Sequence, residues 1–318
     1  MTSTTKTHKP KTPPRNKAPR KKSPAIVDHA RLDPSHCLAN GLFKPIFRGS
    51  RASAALNVHY TARGKSFTFN WTGSELLSIG DQSTFLAIHR LAAQVGRPVR
   101  VGITHDTPAF VAAREALDLA YDAEKLDCLT ITTTANEIAA TIGIKMNGNA
   151  KKRITESLTR LSKVIFGIYR VNDPESVCWQ SNLISVSLLD GKTIIGINPM
   201  LSKALLASPS TFIDMREQRA LKSDISKRLH VWLSSWFGAN RILEERRIEL
   251  DLLIPHVWGD ACTGNIRSQR RSSLQAAIAE MNQLAGWTCT IDAASSVVTI
   301  TRPPVQKDAP VVIVDTQT

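Results

Sequence analysis

The stretch TANEIAATIGIKMNGNAKKRITESLTRLSKVIF, residues 134–166, decides the fold because it is patterned as two helices joined by a short turn. Helical spacing of apolar residues predicts a short helix over residues 134–141, ended near Gly143, and a longer helix over residues 149–166. The apolar stripe predicted for the longer helix consists of Ile154, Leu158, Leu161 and Ile165. Such a pair is typical of a helix-turn-helix.

The flanking sequence extends this pair into a mixed domain. A strand over residues 66–71, a helix over 82–95 and a short strand over 129–132 are predicted before it. Three β-prone runs follow it, over residues 167–171, 182–189 and 193–197, broken by turn residues at 172–174 and at Asp190-Gly191. A helix-turn-helix followed by a hairpin predicts a winged helix.

The pattern recurs in the remainder of the chain. A long helix is predicted over residues 216–237, a connector or short helix over 249–255, a second helix over 265–284 and a terminal hairpin from strands 287–292 and 297–302. We therefore expect an α+β protein with two tandem winged-helix domains. The expected divisions are a disordered basic arm (1–24), a first winged-helix domain with an N-terminal signature segment (25–200), a second winged-helix domain (201–303) and a C-terminal tail (304–318).

The charge balance indicates a polyanionic partner. The 318 residues contain 41 Lys and Arg against 27 Asp and Glu, a formal net charge of +14. Residues 1–22 hold eight of these cations and no acid. The prolines in this arm oppose the amphipathic helix of a transit peptide, the alternative interpretation of a basic N-terminus. Since no apolar run is long enough for a membrane span, we expect a cytoplasmic protein.

The two predicted recognition helices supply the candidate DNA-binding residues, because Lys and Arg contact phosphates and guanine edges and Gln contacts bases. On the second helix we assign the arginines to phosphates and Gln269 to bases. The alternative is an ordinary solvated charged face. The candidates on the first helix are Asn149, Lys151, Lys152, Arg153, Thr159, Arg160 and Lys163, and those on the second are Asn265, Arg267, Ser268, Gln269, Arg270, Arg271 and Ser272.

The sequence contains no catalytic constellation, so we expect a protein without enzymatic activity, cofactor or metal. No P-loop motif is present, no GxGxxG follows a strand, and the five cysteines form no CxxC pair. His36-Cys37, with His29 nearby, is the one cluster that resembles metal ligands, but it lacks a fourth ligand at zinc-site spacing. A packing or DNA-contact role is the alternative. We expect Trp232, Trp236 and Trp258 to pack in the core rather than to stack on bases.

Residues 29–43, HARLDPSHCLANGLF, resemble in residue type and spacing the N-terminal signature of the IncQ-type plasmid replication initiators, the RepC family. Less closely matched positions continue this resemblance over roughly residues 27–303. They lie at residues 161–164, 197–199, 228–230, 236, 256–258, 286–288 and 300–303.

The resemblance implies a non-enzymatic initiator that binds direct repeats, or iterons, of double-stranded DNA at a plasmid origin. Family members promote opening of an adjacent AT-rich region for a plasmid-coded helicase and primase, and a homodimer is expected. This chain departs from the family at the second recognition helix, where Ser268, Ser272 and Ser273 replace part of a denser Lys/Arg run. We therefore do not carry over a repeat sequence. The alternatives are a winged-helix transcriptional regulator that binds an operator and a primase or relaxase-type enzyme.

Overall fold

The computed structural model describes residues 28–46, 54–62, 66–171, 173–207, 209–238 and 243–305. The predicted basic arm at 1–24 and most of the predicted tail at 304–318 lie outside these residues.

Short elements alternate along the described chain. The helices are α1 (Pro34–Leu38), α2 (Ile79–Ala92), α3 (Pro108–Glu115), α4 (Ala135–Ile142), α5 (Gly148–Ser162), α6 (Pro199–Leu206), α7 (Met215–Ala220), α8 (Asp224–Phe237), α9 (Ile254–Trp258) and α10 (Gly264–Met281). The strands are β1 (His29–Leu32), β2 (Leu56–Thr61), β3 (Phe67–Gly73), β4 (Val99–Val101), β5 (Ala120–Tyr121), β6 (Cys128–Thr133), β7 (Ile165–Arg170), β8 (Asp173–Asn182), β9 (Ile184–Leu189), β10 (Lys192–Ile197), β11 (Thr211–Asp214), β12 (Glu244–Glu249), β13 (Thr288–Ile291) and β14 (Val297–Arg302). Two 3₁₀ segments span Asp122–Lys125 and Leu250–Leu253.

The described strands pair antiparallel in four sheets. Their orders are β1-β11, β4-β6-β10-β9, β12-β14-β13 and β2-β3-β7-β8-β5. The mixed α/β class predicted from the sequence is therefore confirmed.

The two halves of the chain share one order of elements. In the first half, α2, β6, α4 and α5 precede the hairpin β9–β10, and in the second half, α8, β12, α9 and α10 precede the hairpin β13–β14. In each half, the strand before the helix pair lies beside the second strand of the hairpin. The two halves therefore share these elements, although the first half adds β4, α3 and β5 before β6 and adds β7 and β8 before the hairpin. The strand β12 was not predicted from the sequence.

Local capping chemistry defines the helix pair of the first half. The Thr134 side chain accepts a hydrogen bond from the Glu137 amide and Glu137 bonds back, which closes a capping box at the start of α4. Gly143 ends α4 in the left-handed conformation, with φ of 85°. Asn147 then begins α5, since its Oδ1 accepts a 2.8 Å hydrogen bond from the Ala150 amide. These boundaries confirm the predicted helix pair.

Two predicted helices have different bounds. The helix expected to reach residue 166 ends at Ser162, and Ile165 begins β7 with 42% of its surface exposed instead of joining the apolar stripe. The β-branched Val164-Ile165 pair favours the strand, which is held by pairing with β3 and β8. The helix expected over residues 216–237 is divided into α7 and α8, because Leu221 is extended and Ser223 caps a new helix.

The apolar residues gather in two main clusters. The larger draws its members from residues 30–231, and the other draws on 221–300, with Leu38 packed against it. Trp232 and Trp258 are buried in the second cluster, and Trp236 packs against it. The expected core role of these tryptophans is confirmed.

The signature segment joins parts of both clusters. Its strand β1 pairs with β11, and its helix α1 packs against α8. The fully buried Arg228 on α8 donates 3.0 Å hydrogen bonds to the carbonyl oxygens of Cys37, Ala39 and His256. Burial lowers the pKa of Arg228 to about 10, which leaves the guanidinium charged at neutral pH.

His36 and Cys37 also face the interior. The His36 ring lies among Trp71, Phe85 and Phe166. Burial lowers the pKa of His36 to about 3 and raises that of the Cys37 thiol to about 12. Among the described residues, no group of three or more His, Cys, Asp or Glu is placed to hold a metal ion. Packing is therefore the role that the structure gives to this pair.

Replacing Arg228 by Met is expected to lower the free energy of unfolding by about 3 kcal/mol or more, because the carbonyls of Cys37, Ala39 and His256 lose this donor. Urea denaturation followed by tryptophan fluorescence measures this change. Arg247→Met is the matched control, since that side chain is 72% exposed and its loss should alter stability by about 0.5 kcal/mol or less. Equal midpoints and slopes for Arg228→Met and the natural protein would contradict a joining role for Arg228.

Candidate nucleic-acid interface

A buried carboxylate positions the helix α5. Asp81 is fully buried and takes part in the capping box at the start of α2. It accepts a short hydrogen bond from the Ser157 hydroxyl and bonds of 3.1 and 2.9 Å from Nε and Nη2 of Arg160. Arg160 therefore turns towards α2, unlike the other cations of this helix. We assign to it a positioning role in place of the predicted direct DNA contact.

The remaining candidates on α5 form an exposed basic face. They are Asn149, Lys151, Lys152, Arg153, Thr159 and Lys163. Their four cations have no ion-pair partner among the described residues, and Glu156 is the one acid exposed on the same helix. Exposed cations without intramolecular partners are available to phosphate groups.

The arginines of α10 are engaged within the protein. Arg267 bonds to Oδ2 of Asp251 through Nε at 2.9 Å, and Arg271 reaches the same oxygen through Nη1 at 3.0 Å. Arg271 also donates a 2.8 Å bond to the Ser296 hydroxyl in the hairpin β13–β14. The Arg267 hydrogen bond, together with the charge of Arg271, lowers the pKa of Asp251, so this carboxylate is ionised at neutral pH.

Arg270, the third arginine of α10, makes its contacts with residues other than Asp251. Its Nη1 donates a 3.1 Å hydrogen bond to the Asp260 carbonyl, and its guanidinium lies 5.2 Å from the centre of the Trp258 ring. The predicted phosphate contacts of all three arginines thus compete with internal contacts. Asp251, which sequence reasoning missed, causes most of this competition. Its only sequence signal is its place in the stretch predicted as a connector.

Apart from Arg267, whose guanidinium is paired with Asp251, the exposed residues of α10 are uncharged. Asn265, Ser268, Gln269 and Ser272 are all exposed. Beside them, Ile266 is 55% exposed at the edge of a groove of about 810 Å³ that Ile225 and Trp258 also line. The second helix therefore presents hydroxyl and amide groups where the first presents cations.

The hairpin β9–β10 ends in a tight turn. Asp190 and Gly191 both have positive φ, at 50° and 73°, as a two-residue hairpin turn requires. Leu188 next to this turn is 79% exposed. The Asp-Gly signal in the sequence therefore predicted the position of the turn correctly.

Each half thus carries a helix pair with an exposed polar helix beside an antiparallel sheet, of four strands in the first half and three in the second. The profile of the Replication protein C (RepC) family matches residues 25–304, and the chain belongs to this family. The resemblance drawn from the signature segment is confirmed. No curated protein sequence matches the chain.

The solved structures that are similar to this chain include two of RctB and one of the Pi initiator protein. Selenomethionine-labelled domains 2 and 3 of RctB match with a TM-score of 0.50 and 11% identity, covering 85% of this chain and 97% of that one. A second structure of RctB domains 2–3 matches with a TM-score of 0.45 and 11% identity, covering 85% of this chain and 95% of that one. The Pi initiator protein in complex with iteron DNA gives 0.39, with 12% identity and coverage of 65% and 97%. At these identities, only the 0.50 match bears on the fold.

The described helices include none long and apolar enough to cross a membrane. All five cysteines are free thiols.

Replacing Asp251 by Asn is expected to strengthen binding to DNA of unrelated sequence, because Arg267 and Arg271 lose their shared anion. The slope of log affinity against log salt should steepen by about 0.9 for each guanidinium that gains a phosphate contact. Fluorescence anisotropy with a shuffled duplex over a salt series measures both quantities.

Asp106→Asn makes the same charge change at an exposed site in another part of the chain and serves as the control. If the two variants steepen the slope equally, the effect is one of net charge and the role assigned to Asp251 is wrong.

Proposed function

We propose that this chain initiates plasmid replication by binding direct repeats in double-stranded DNA at the plasmid origin. Membership of the RepC family supports this proposal. The single observation that carries it is the exposed basic face of α5, the second helix of a capped helix pair. The cations of this face have no ion-pair partner among the described residues. A helix so placed fits the major groove and its flanking phosphates.

We further infer that each half of the chain is a winged-helix domain. The shared order of helix, strand, two helices and hairpin supports this inference, as does the antiparallel pairing of β6 with β10 and of β12 with β14. The domain divisions expected from the sequence, at residues 25–200 and 201–303, belong to the same proposal. In each domain the second helix of the pair, α5 or α10, enters a major groove.

Origin opening, loading of a plasmid-coded helicase and primase, and a homodimer complete the proposed role. The protein acts without catalysis, cofactor or metal in this scheme. Binding through phosphates draws on the free cations of α5, and any bend imposed on the duplex aids strand opening at weakly stacked steps. The cytoplasm, where plasmid DNA resides, is the proposed location.

A salt titration tests repeat binding directly. The full chain is titrated against a duplex carrying the direct repeat of its origin and against a shuffled duplex of equal composition. We expect the preference for the repeat to persist near physiological ionic strength, about 0.15 M, while binding to the shuffled duplex weakens steeply with salt. Equal affinities that fall together would contradict the proposal.

Lys152→Ala identifies the helix that provides the phosphate contacts. It is expected to weaken binding to both duplexes and to reduce the salt slope by about 1. Lys222→Ala removes an exposed cation outside α5 and is the control. An unchanged slope for Lys152→Ala would place the DNA on another surface. Repeat binding by a protein that does not support plasmid maintenance would favour the alternative of a transcriptional regulator.

A further inference from the structure

We infer that α10 recognises adenine bases through the side-chain amides of Asn265 and Gln269, while its arginines hold the helix to the rest of the domain. This inference rests on the proposed function, because it assigns a base chemistry to the second recognition helix. It keeps the sequence-based assignment of Gln269 to bases, adds Asn265 and the choice of adenine, and replaces the sequence-based assignment of the arginines to phosphates.

The first step concerns the arginines. A guanidinium that recognises guanine presents two parallel N–H groups to O6 and N7 of the base. Arg267 directs both Nε and Nη2 at Asp251. Arg271 divides its two terminal nitrogens between Asp251 and Ser296. Neither fork is available for a guanine edge unless these ion pairs open.

The second step concerns the direction of the amides. At 100° per residue, Asn265, Gln269 and Ser272 lie opposite the buried stripe of Leu274, Ala277, Ile278 and Met281. Asn265 and Gln269 are both exposed. Within the described part of the chain, neither amide makes a side-chain hydrogen bond. The face opposite the buried stripe therefore carries two amides with free donors and acceptors, and Gln269 also lines the groove beside Trp258.

The third step is the chemistry of the groove. An Asn or Gln amide donates to N7 and accepts from N6 of adenine, which is the bidentate pairing that matches its geometry. Asn265 and Gln269 are four residues apart, a rise of about 6 Å along a helix. Since base pairs stack at about 3.4 Å, the two amides fit adenines within two base steps of each other.

The contrast with α5 assigns a distinct task to each helix. The free cations of α5 interact with phosphates whatever the sequence, whereas the neutral face of α10 neutralises no phosphate charge and contributes chiefly through base edges. The first helix therefore supplies affinity and the second supplies sequence preference.

Replacing adenines one at a time by 7-deazaadenine in the direct repeat tests this inference. The analogue removes the N7 acceptor and keeps normal pairing with thymine. We expect at least about a fivefold loss of affinity for the natural protein at one or two adenines. In Gln269→Ala or Asn265→Ala, the loss of affinity caused by 7-deazaadenine at one of these positions should disappear. The preference of each variant for the natural repeat over a shuffled duplex should also fall.

Gln275→Ala is the matched control, because this exposed amide lies on the same helix but further from its N-terminus. It should retain every penalty. The inference is overturned if 7-deazaadenine penalties are the same in the natural protein and both variants, or if penalties occur only at 7-deazaguanine and disappear in Arg267→Ala. A protein without any preference for the repeat would instead contradict the proposed function.

Discussion

The charge of Arg228 imposes the constraint on which the arrangement of the molecule depends. A fully buried guanidinium is costly unless its N–H groups are satisfied. Its acceptors are carbonyl oxygens from two separate stretches, Cys37 and Ala39 in the signature segment and His256 in α9. All three must be in place for the charge to be accommodated, so α1, α8 and α9 are held together. Close approach of Gly41 and Gly259 at the same junction requires glycine at both positions, since a Cβ on Gly259 would lie 2.8 Å from the Gly41 Cα atom.

The signature segment is thereby explained as a joining element. Asp28, just before β1, pairs with Arg90 on α2 and Arg219 on α7. The most specific sequence signature of the chain thus makes contacts within the protein, through β1 and α1. Its contacts with Arg228 and α8 connect the two halves of the chain.

Much of the local structure was predictable because it depends on neighbouring residues. Thr134, Gly143 and the Asp190-Gly191 turn are local signals, and each lies where the structure has a cap or a turn. The end of α5 and the division between α7 and α8 were not predictable in this way. The first is set by strand pairing, and the second by a serine cap within a continuous apolar pattern.

The candidate interface was likewise only partly predictable from neighbouring residues. The residues of both helices were found from their pattern, but the availability of each cation depends on a carboxylate distant in sequence. Asp81 is 79 residues from Arg160, and no periodicity connects them. Asp251 likewise forms ion pairs with Arg267 and Arg271. The sequence pattern therefore overstates the number of cations without an internal partner, by Arg267 and Arg271 on α10 and by Arg160 on α5.

The most direct measurement is the affinity of the full chain for an altered origin repeat. The alteration inserts base pairs between the DNA segment bound by the first half of the chain and the segment bound by the second half. Five inserted base pairs turn one segment by about half a helical turn. If Arg228 and the signature segment fix the separation of α5 and α10, affinity should fall to that of a duplex carrying one segment alone. Undiminished affinity for the expanded repeat would show that the two halves bind DNA independently and would contradict this account.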